Sequence, residues 1–120
     1  METTLHYGDA LDIPKNGAFR AAYKQQTGRE PDVYAVQGYD TGQLLAIGLA
    51  AVKGDTGARN ELIAAMEAAH IDSPRGGFTL SKANNPIQNI YLRKVVGTEN
   101  RVVAVAHRAL ADPARGCKLA

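Results

Sequence analysis

Few side chains in this chain of 120 residues could do chemistry, and three histidines and one cysteine are the first candidates. His6, His70 and His107 are far apart, and none is spaced with another histidine, cysteine or carboxylate as metal sites require. Cys117 stands alone, so it permits neither an internal disulfide nor a cysteine-based metal site. A nucleophile so close to the chain end would lack rigid support. The sequence therefore predicts no enzyme, no metal and no cofactor, and it leaves Cys117 as either an accessible thiol or a functional one.

Binding is the more plausible chemistry, and Tyr34 is its first candidate. Tyr34 falls near the start of the longest predicted helix, where backbone N–H groups are unpaired and the helix dipole is positive. An aromatic ring at that position could form one wall of a ligand cleft. It could equally be an ordinary packing residue, and the residues alone leave both interpretations open.

Charge excludes one class of partner. The formal net charge is only +2, and the lysines and arginines are scattered from Lys15 to Lys118 without a basic stripe. Nucleic-acid binding is therefore not expected. No apolar run is long enough to span a bilayer.

The element that would position Tyr34 is a helix predicted over 31–53. Val33, Val36 and Tyr39 recur at helical spacing, and further apolar residues widen the stripe. Pro31 suits a first helical turn and Gly54 a C-terminal stop. A helix this apolar is expected to be covered on more than one side.

Shorter elements surround this helix. Two further helices are predicted over 16–27, with Asn16 as the N-terminal cap, and over 58–69. From Gly76 onward the pattern changes to that of strands, with a short strand over 78–80 and a β-hairpin over 87–109. Residues 3–7 have the composition of a short first strand. The fold class is therefore α/β, with three helices between an N-terminal strand and a C-terminal β-hairpin.

The order of these motifs resembles the C-terminal part of a known family. The family consists of the leucine/isoleucine/valine-binding-like solute-binding proteins of ABC transporters, which have the type I periplasmic binding fold. Its run N..F...Y....G..P...A..GYD...LL is matched by Asn16, Phe19, Tyr23, Gly28, Pro31, Ala35, Gly38-Tyr39-Asp40 and Leu44-Leu45. The resemblance continues through 76–78, 91–96 and 116–118 and covers nearly the whole chain.

The resemblance implies a fold, a function and partners. The chain would be a single segment, 1–120, of a two-lobed protein, with 1–86 as first-lobe helices and hinge strand and 87–120 as return hairpin and tail. The parent would be a periplasmic receptor that delivers branched-chain or aromatic amino acids, or related small organic acids, to a membrane permease. It would be a transport protein, not an enzyme.

The resemblance also suggests site residues. Related proteins have an aromatic side chain five residues before the tyrosine of the GYD-like motif, which is where Tyr34 precedes Tyr39. Tyr39 and Asp40 match the recurrent pair of that motif. Asp40 would contact solute, bond nearby backbone or bridge to a neighbouring loop.

Two expectations concern the isolated chain. The opening METTLHYGD lacks the features of a signal peptide, which would fit a piece of a larger exported protein. With its central helix apolar on more than one face, the chain is expected to form a homo-oligomer. The alternative function, from a different class, is a small self-associating α+β module that binds a protein partner and no ligand.

Overall fold

A computed structural model describes residues 1–116 and 118, so Cys117 lies outside the described residues. In chain order the elements are β1 (Glu2–Leu5), α1 (Pro14–Thr27), α2 (Val33–Ala51), α3 (Arg59–Glu67), β2 (Thr79–Leu80), β3 (Pro86–Val96) and β4 (Glu99–Leu110). The predicted strand, helices and hairpin are confirmed, and most ends differ from the predictions by one or two residues.

The ends of α2 follow from local hydrogen bonds. Asp32 caps the helix, since its Oδ1 accepts from the backbone N–H of Ala35 at 2.9 Å. The predicted start at Pro31 is therefore two residues too early. Gly54 has a φ of +83°, and its N–H donates to the carbonyl of Leu49 at 2.9 Å. Lys53, with a φ of +51°, is left-handed as well, and these two residues end the helix close to the predicted stop.

Asn16 does not cap α1, and that prediction is wrong. The helix begins at Pro14, whose missing N–H suits the first turn, so Asn16 lies inside it. Its side chain is buried: Oδ1 accepts from the Tyr7 hydroxyl at 2.9 Å and Nδ2 donates to the carbonyl of Leu11 at 2.9 Å. Asn16 therefore fixes the loop between β1 and α1 onto the helix.

We expect Asn16→Ala to lower the free energy of unfolding by about 2–3 kcal/mol, because it leaves a buried hydroxyl and a buried carbonyl without partners. Urea denaturation followed by circular dichroism measures the loss. Asn60→Ala, on the exposed side of α3, is the matched control and should change stability by less than about 0.5 kcal/mol. Equal effects of the two substitutions would contradict the role given to Asn16.

The sheet is built around β3. Strand β4 pairs antiparallel with β3 along its length, from Val96↔Glu99 to Gln88↔Leu110. On the other edge of β3, β1 pairs with one end of the strand and β2 with the other, both antiparallel. The Arg93 guanidinium reinforces the β1 side by donating to the carbonyl of Tyr7 and the hydroxyl of Thr3.

The core is small and lies where α2, α3 and the following segment meet. Ala69, Ile71 and Phe78 are its buried members, and the partly buried side chains packed on them are Leu44, Ile47 and Leu80. Gly48 allows the close approach of α3, because a Cβ there would lie 2.8 Å from Cγ of Met66. This packing holds α2 beside the sheet.

The molecule is flat, with extents of 49 × 39 × 19 Å. Its radius of gyration of 16.0 Å exceeds the roughly 13.6 Å of a compact domain of this length. Much apolar surface is therefore exposed, including that of Leu45, Leu49, Val95, Val96, Val103 and Leu110. In the described part of the chain, no helix combines the length and apolarity needed to cross a membrane.

We expect the isolated chain to self-associate, because these exposed side chains lie on both α2 and the hairpin. Exchange of the hairpin or of β1 between copies is a low-cost route. Light scattering after size exclusion, at concentrations on the order of 10 μM or more, measures the mass. A monomer throughout that range would contradict the prediction.

Candidate functional site

A groove of about 520 Å³ lies between α2, the segment that follows α3, and the start of β3. Its apolar wall is formed by Leu44, Ile71, Phe78, Leu80 and Pro86. Its polar side chains are His6, Gln37, Asp40, Thr41, Arg75 and Gln88. An apolar wall with a few polar groups is the usual composition of a small-ligand site.

A buried ion pair lies at the inner end of this groove. Asp40 and Arg75 are only 4% and 8% exposed, and Oδ2 of Asp40 lies 2.9 Å from Nε of Arg75. The N–H of Nε is not directed at that oxygen, so the contact is electrostatic rather than a well-formed hydrogen bond. The Ser73 hydroxyl donates to the same oxygen at 2.9 Å. Burial raises the pKa of Asp40, against the opposite effects of Ser73 and Arg75.

The ion pair connects the helices to the sheet. The backbone carbonyl of Arg75 accepts a hydrogen bond from the Tyr91 hydroxyl on β3 at 2.7 Å. The guanidinium of Arg75 lies 4.3 Å from the centre of the Phe78 ring. Asp40 on α2 thus holds the segment that crosses from α3 to β2. The contacts of Asp40 with Ser73 and Arg75 form a bridge to a neighbouring loop, which is one of the roles expected for it.

His6 directly follows β1 and lines the groove together with Arg75. Burial lowers its pKa to about 4, and the charges of Arg75 and Arg93 act in the same direction. Among the described residues, no group forms a hydrogen bond with its Nε2. His6 is therefore neutral at neutral pH and adds no charge to the groove.

The lowered pKa of His6 predicts that the free energy of unfolding decreases as the pH is lowered. The unfolded chain, with an ordinary histidine pKa of 6.5, binds the proton more tightly than the folded chain, with a pKa of about 4. The contribution is complete above pH 6.5 and is lost as pH falls toward 4. Because His6 is only half-buried, we discount the effect to about 1 kcal/mol between about pH 7 and about pH 5.

Urea denaturation at the two pH values measures this loss. His6→Gln removes the titrating group and should flatten the dependence, whereas the matched control His107→Gln, at an exposed position, should leave it in place. An unchanged pH dependence in His6→Gln would show that other groups cause it.

The two predicted tyrosines stand on different sides of α2. Tyr34 is 74% exposed and lies three residues before Gln37, so the two share the helix face that borders the groove. It does not itself line the groove. Tyr39 packs edge-on against Phe19 of α1 at 5.1 Å between ring centres, with the Lys15 amine 5.3 Å from its ring. The described chain therefore brings Asp40 to the groove and leaves Tyr39 away from it.

Sequence reasoning missed His6, Arg75 and Gln88 as lining residues of the groove. One signal could have indicated Arg75: Asp40 is the only charged residue of α2, and a lone carboxylate on an apolar helix needs a cationic partner. Nothing comparable points to Gln88, which the hairpin register brings to the groove. Among the described residues, no cluster of three or more His, Cys, Asp or Glu side chains could hold a metal ion.

One family of known proteins matches most of the chain. A family model described as periplasmic binding protein matches residues 1–100. No curated protein matches the chain.

Among the solved structures that are similar to the chain are three solute-binding proteins of ABC transporters from Rhodopseudomonas palustris. The structure in complex with benzoate is 50% identical with a TM-score of 0.94, and the match covers 99% of this chain and 33% of that one. The structure with 3,4-dihydroxybenzoic acid is 35% identical with a TM-score of 0.84, covering 96% and 32%. The structure with p-hydroxybenzoic acid is 28% identical with a TM-score of 0.83, covering 97% and 33%.

These matches confirm the fold class expected from the sequence, a part of the type I periplasmic binding fold. The chain spans about a third of the length of the structures it matches. With the family model covering 100 of its 120 residues, the chain belongs to the periplasmic binding protein family.

Proposed function

We propose that this chain is part of the substrate-binding component of an ABC transporter and that its solutes are small aromatic carboxylates. The observation that carries the proposal is the 50% identity, over 99% of the chain, to a solute-binding protein in complex with benzoate. Two further similar proteins are in complex with hydroxylated benzoic acids. This narrows the range expected from the sequence, which also includes branched-chain and aromatic amino acids.

The groove beside α2 supports the proposal physically. Its volume of about 520 Å³ lies within the range of about 300–1,000 Å³ that is usual for small-ligand sites. Leu44, Ile71 and Phe78 give it an apolar wall suited to a planar ring. Asp40 is already paired with Arg75, so the described residues that line the groove offer no free cation for a carboxylate. The carboxylate would therefore be held by groups from outside the described residues.

Tyr34 is proposed to line the cleft from the side of α2. Its ring is exposed in this structure and available to an adjacent lobe or a solute. Asp40 and Tyr39 would support the wall through the Arg75 and Phe19 contacts rather than by touching solute. We propose the same division of the chain between the two lobes as the sequence suggests. Residues 1–86 belong to the first lobe, and residues 87–120 return to the second.

The remaining parts of the proposal come with the family. The parent protein would work in the periplasm and pass its solute to a membrane permease. The alternative, a ligand-free interaction module, is not favoured, because the regions similar to this chain are parts of solute-binding proteins.

A chimera tests the proposal. This chain replaces the matched third of the benzoate-binding relative, and calorimetry measures binding of benzoate, 4-hydroxybenzoate, leucine and phenylalanine. We expect micromolar affinity, about −8 kcal/mol, for the benzoates and at least about 1.4 kcal/mol weaker binding for the amino acids. Tyr34→Ala should weaken benzoate binding about tenfold, while the matched control Tyr23→Ala on α1 should not. Preference for an amino acid would overturn the proposed solute class.

A further inference from the structure

Asn16 and Gly17 form the only asparagine–glycine pair in the chain. Such a pair is chemically labile in an unfolded peptide, because glycine has no side chain to hinder its own backbone nitrogen. That nitrogen loses its proton and attacks the carbonyl carbon of the asparagine side chain, and the side-chain NH2 group takes up a proton and leaves as ammonia. Water then opens the resulting succinimide ring, either to aspartate or to isoaspartate, which has an additional carbon atom in the backbone.

The folded structure blocks this reaction by holding both reacting groups. The backbone N–H of Gly17 donates to the carbonyl of Ile13 at 3.2 Å, as part of α1. The side chain of Asn16 is buried, and its Nδ2 donates to the carbonyls of Leu11 and Asp9 at 2.9 and 3.3 Å. The first turn of α1 must therefore open before the glycine nitrogen can reach the side-chain carbon.

Helix α1 is suited to opening without the rest of the chain. Of the residues of α1, all of which the structure describes, only Asn16 is buried. The ion pair of Lys15 with Asp72, which also holds the start of the helix, is exposed. Segments with few buried groups open at a lower free energy than the core does. Opening of α1 therefore does not require the whole chain to unfold.

We propose that Asn16–Gly17 is a latent deamidation site, protected while α1 is folded and made reactive by local opening of α1. The only co-reactant is water. The inference goes beyond the proposed function, since it concerns a covalent modification and is independent of the solute.

The modified chain cannot restore the native contacts of this residue. Aspartate at position 16 has a negatively charged oxygen in place of the Nδ2 donor, facing the carbonyl oxygens of Leu11 and Asp9. The helix dipole favours a carboxylate in the first turn, but the position is only 1% exposed, and burial of a charge that faces acceptors is disfavoured more strongly. Isoaspartate lengthens the backbone and so disrupts the hydrogen bonds of the first turn. Deamidation therefore makes the opening of α1 irreversible.

Mass spectrometry of the 120-residue chain tests the inference. The chain is kept in a mildly alkaline buffer, with and without guanidinium chloride, and the mass gain of deamidation is followed in digested samples. We expect Asn16 to react at least tenfold faster in the unfolded chain than in the folded chain. Asn60, which is followed by Glu61, is the internal control and should stay unmodified in both samples.

Two variants separate the chemistry of the pair from its protection by the fold. Gly17→Ala adds a methyl group that hinders the attack, and the added Cβ meets no atom within 4 Å, so the fold is kept. It should slow the reaction of the unfolded chain at least tenfold. Tyr7→Phe removes the hydroxyl that donates to Oδ1 of Asn16. It should speed the reaction of the folded chain and leave that of the unfolded chain unchanged, with circular dichroism as the check on folding.

Three results would each overturn the inference. The first is a folded chain that reacts as fast as the unfolded chain. The second is a Tyr7→Phe variant whose folded form reacts no faster than the unmodified sequence. The third is a deamidated chain, separated by ion exchange, that unfolds at the same guanidinium chloride concentration as the chain that kept Asn16.

Discussion

Asp40→Ala should lower the free energy of unfolding by about 3–5 kcal/mol, because it leaves the Arg75 guanidinium buried without its counter-charge. The Arg75 side chain is only 8% exposed, and Asp40 is its ion-pair partner. Ser73 loses its hydrogen-bond acceptor in the same variant. A loss of this size approaches the whole stability of many small domains. Urea denaturation followed by circular dichroism should therefore show a chain that is unfolded or nearly so.

Two further variants separate the charge effect from other causes. The double substitution Asp40→Leu with Arg75→Met should recover most of the loss, since apolar residues of similar volume often replace a buried ion pair without cost. Asp72→Ala removes the exposed ion pair of Asp72 with Lys15, 3.1 Å apart, and should cost less than about 1 kcal/mol. If Asp40→Ala and Asp72→Ala had equal effects, the Asp40–Arg75 pair would not be the support that we infer.

The helices and the hairpin could be predicted because their signals are local. The repeat of Val33, Val36 and Tyr39 has the period of a helix, of which the structure buries Val36, and Gly54 at the helix end is left-handed. The turn between β3 and β4 is likewise determined by Gly97, which has a φ of +60°. These patterns depend on neighbours within a few residues, so one sequence suffices to find them.

Contacts between distant residues could not be predicted in this way. Asparagine is a residue type that often caps helices, yet the buried hydrogen bonds of Asn16 to Tyr7 and Leu11 place it inside α1. Asp40 finds Ser73 and Arg75 more than thirty residues further along the chain. Only the packing of α2 on α3 brings these groups together, and periodicity carries no information about such a partner. The groove was missed for the same reason.

The open shape of the groove determines how tightly the isolated chain is expected to bind a solute. Its groove is open, and Tyr34 is exposed rather than facing a second wall. Small-ligand clefts enclose about 70–90% of the ligand surface, which takes walls on both sides. With one wall, around half of those contacts remain possible, while the loss of translational and rotational freedom on capture is nearly undiminished.

We therefore expect this chain alone to bind benzoate with a dissociation constant of about 1 mM or weaker, on the order of a thousandfold weaker than a micromolar receptor. In free energy the difference is about 4 kcal/mol, between −8 and −4. Calorimetric titration of benzoate, 4-hydroxybenzoate, leucine and phenylalanine into the chain measures it, with the chimera as the positive control. Half of the contacts provide less than half of the binding free energy, because the same loss of translational and rotational freedom is subtracted whether the cleft has one wall or two. Micromolar binding by the isolated chain, lost on Tyr34→Ala, would instead show that these 120 residues hold a complete site.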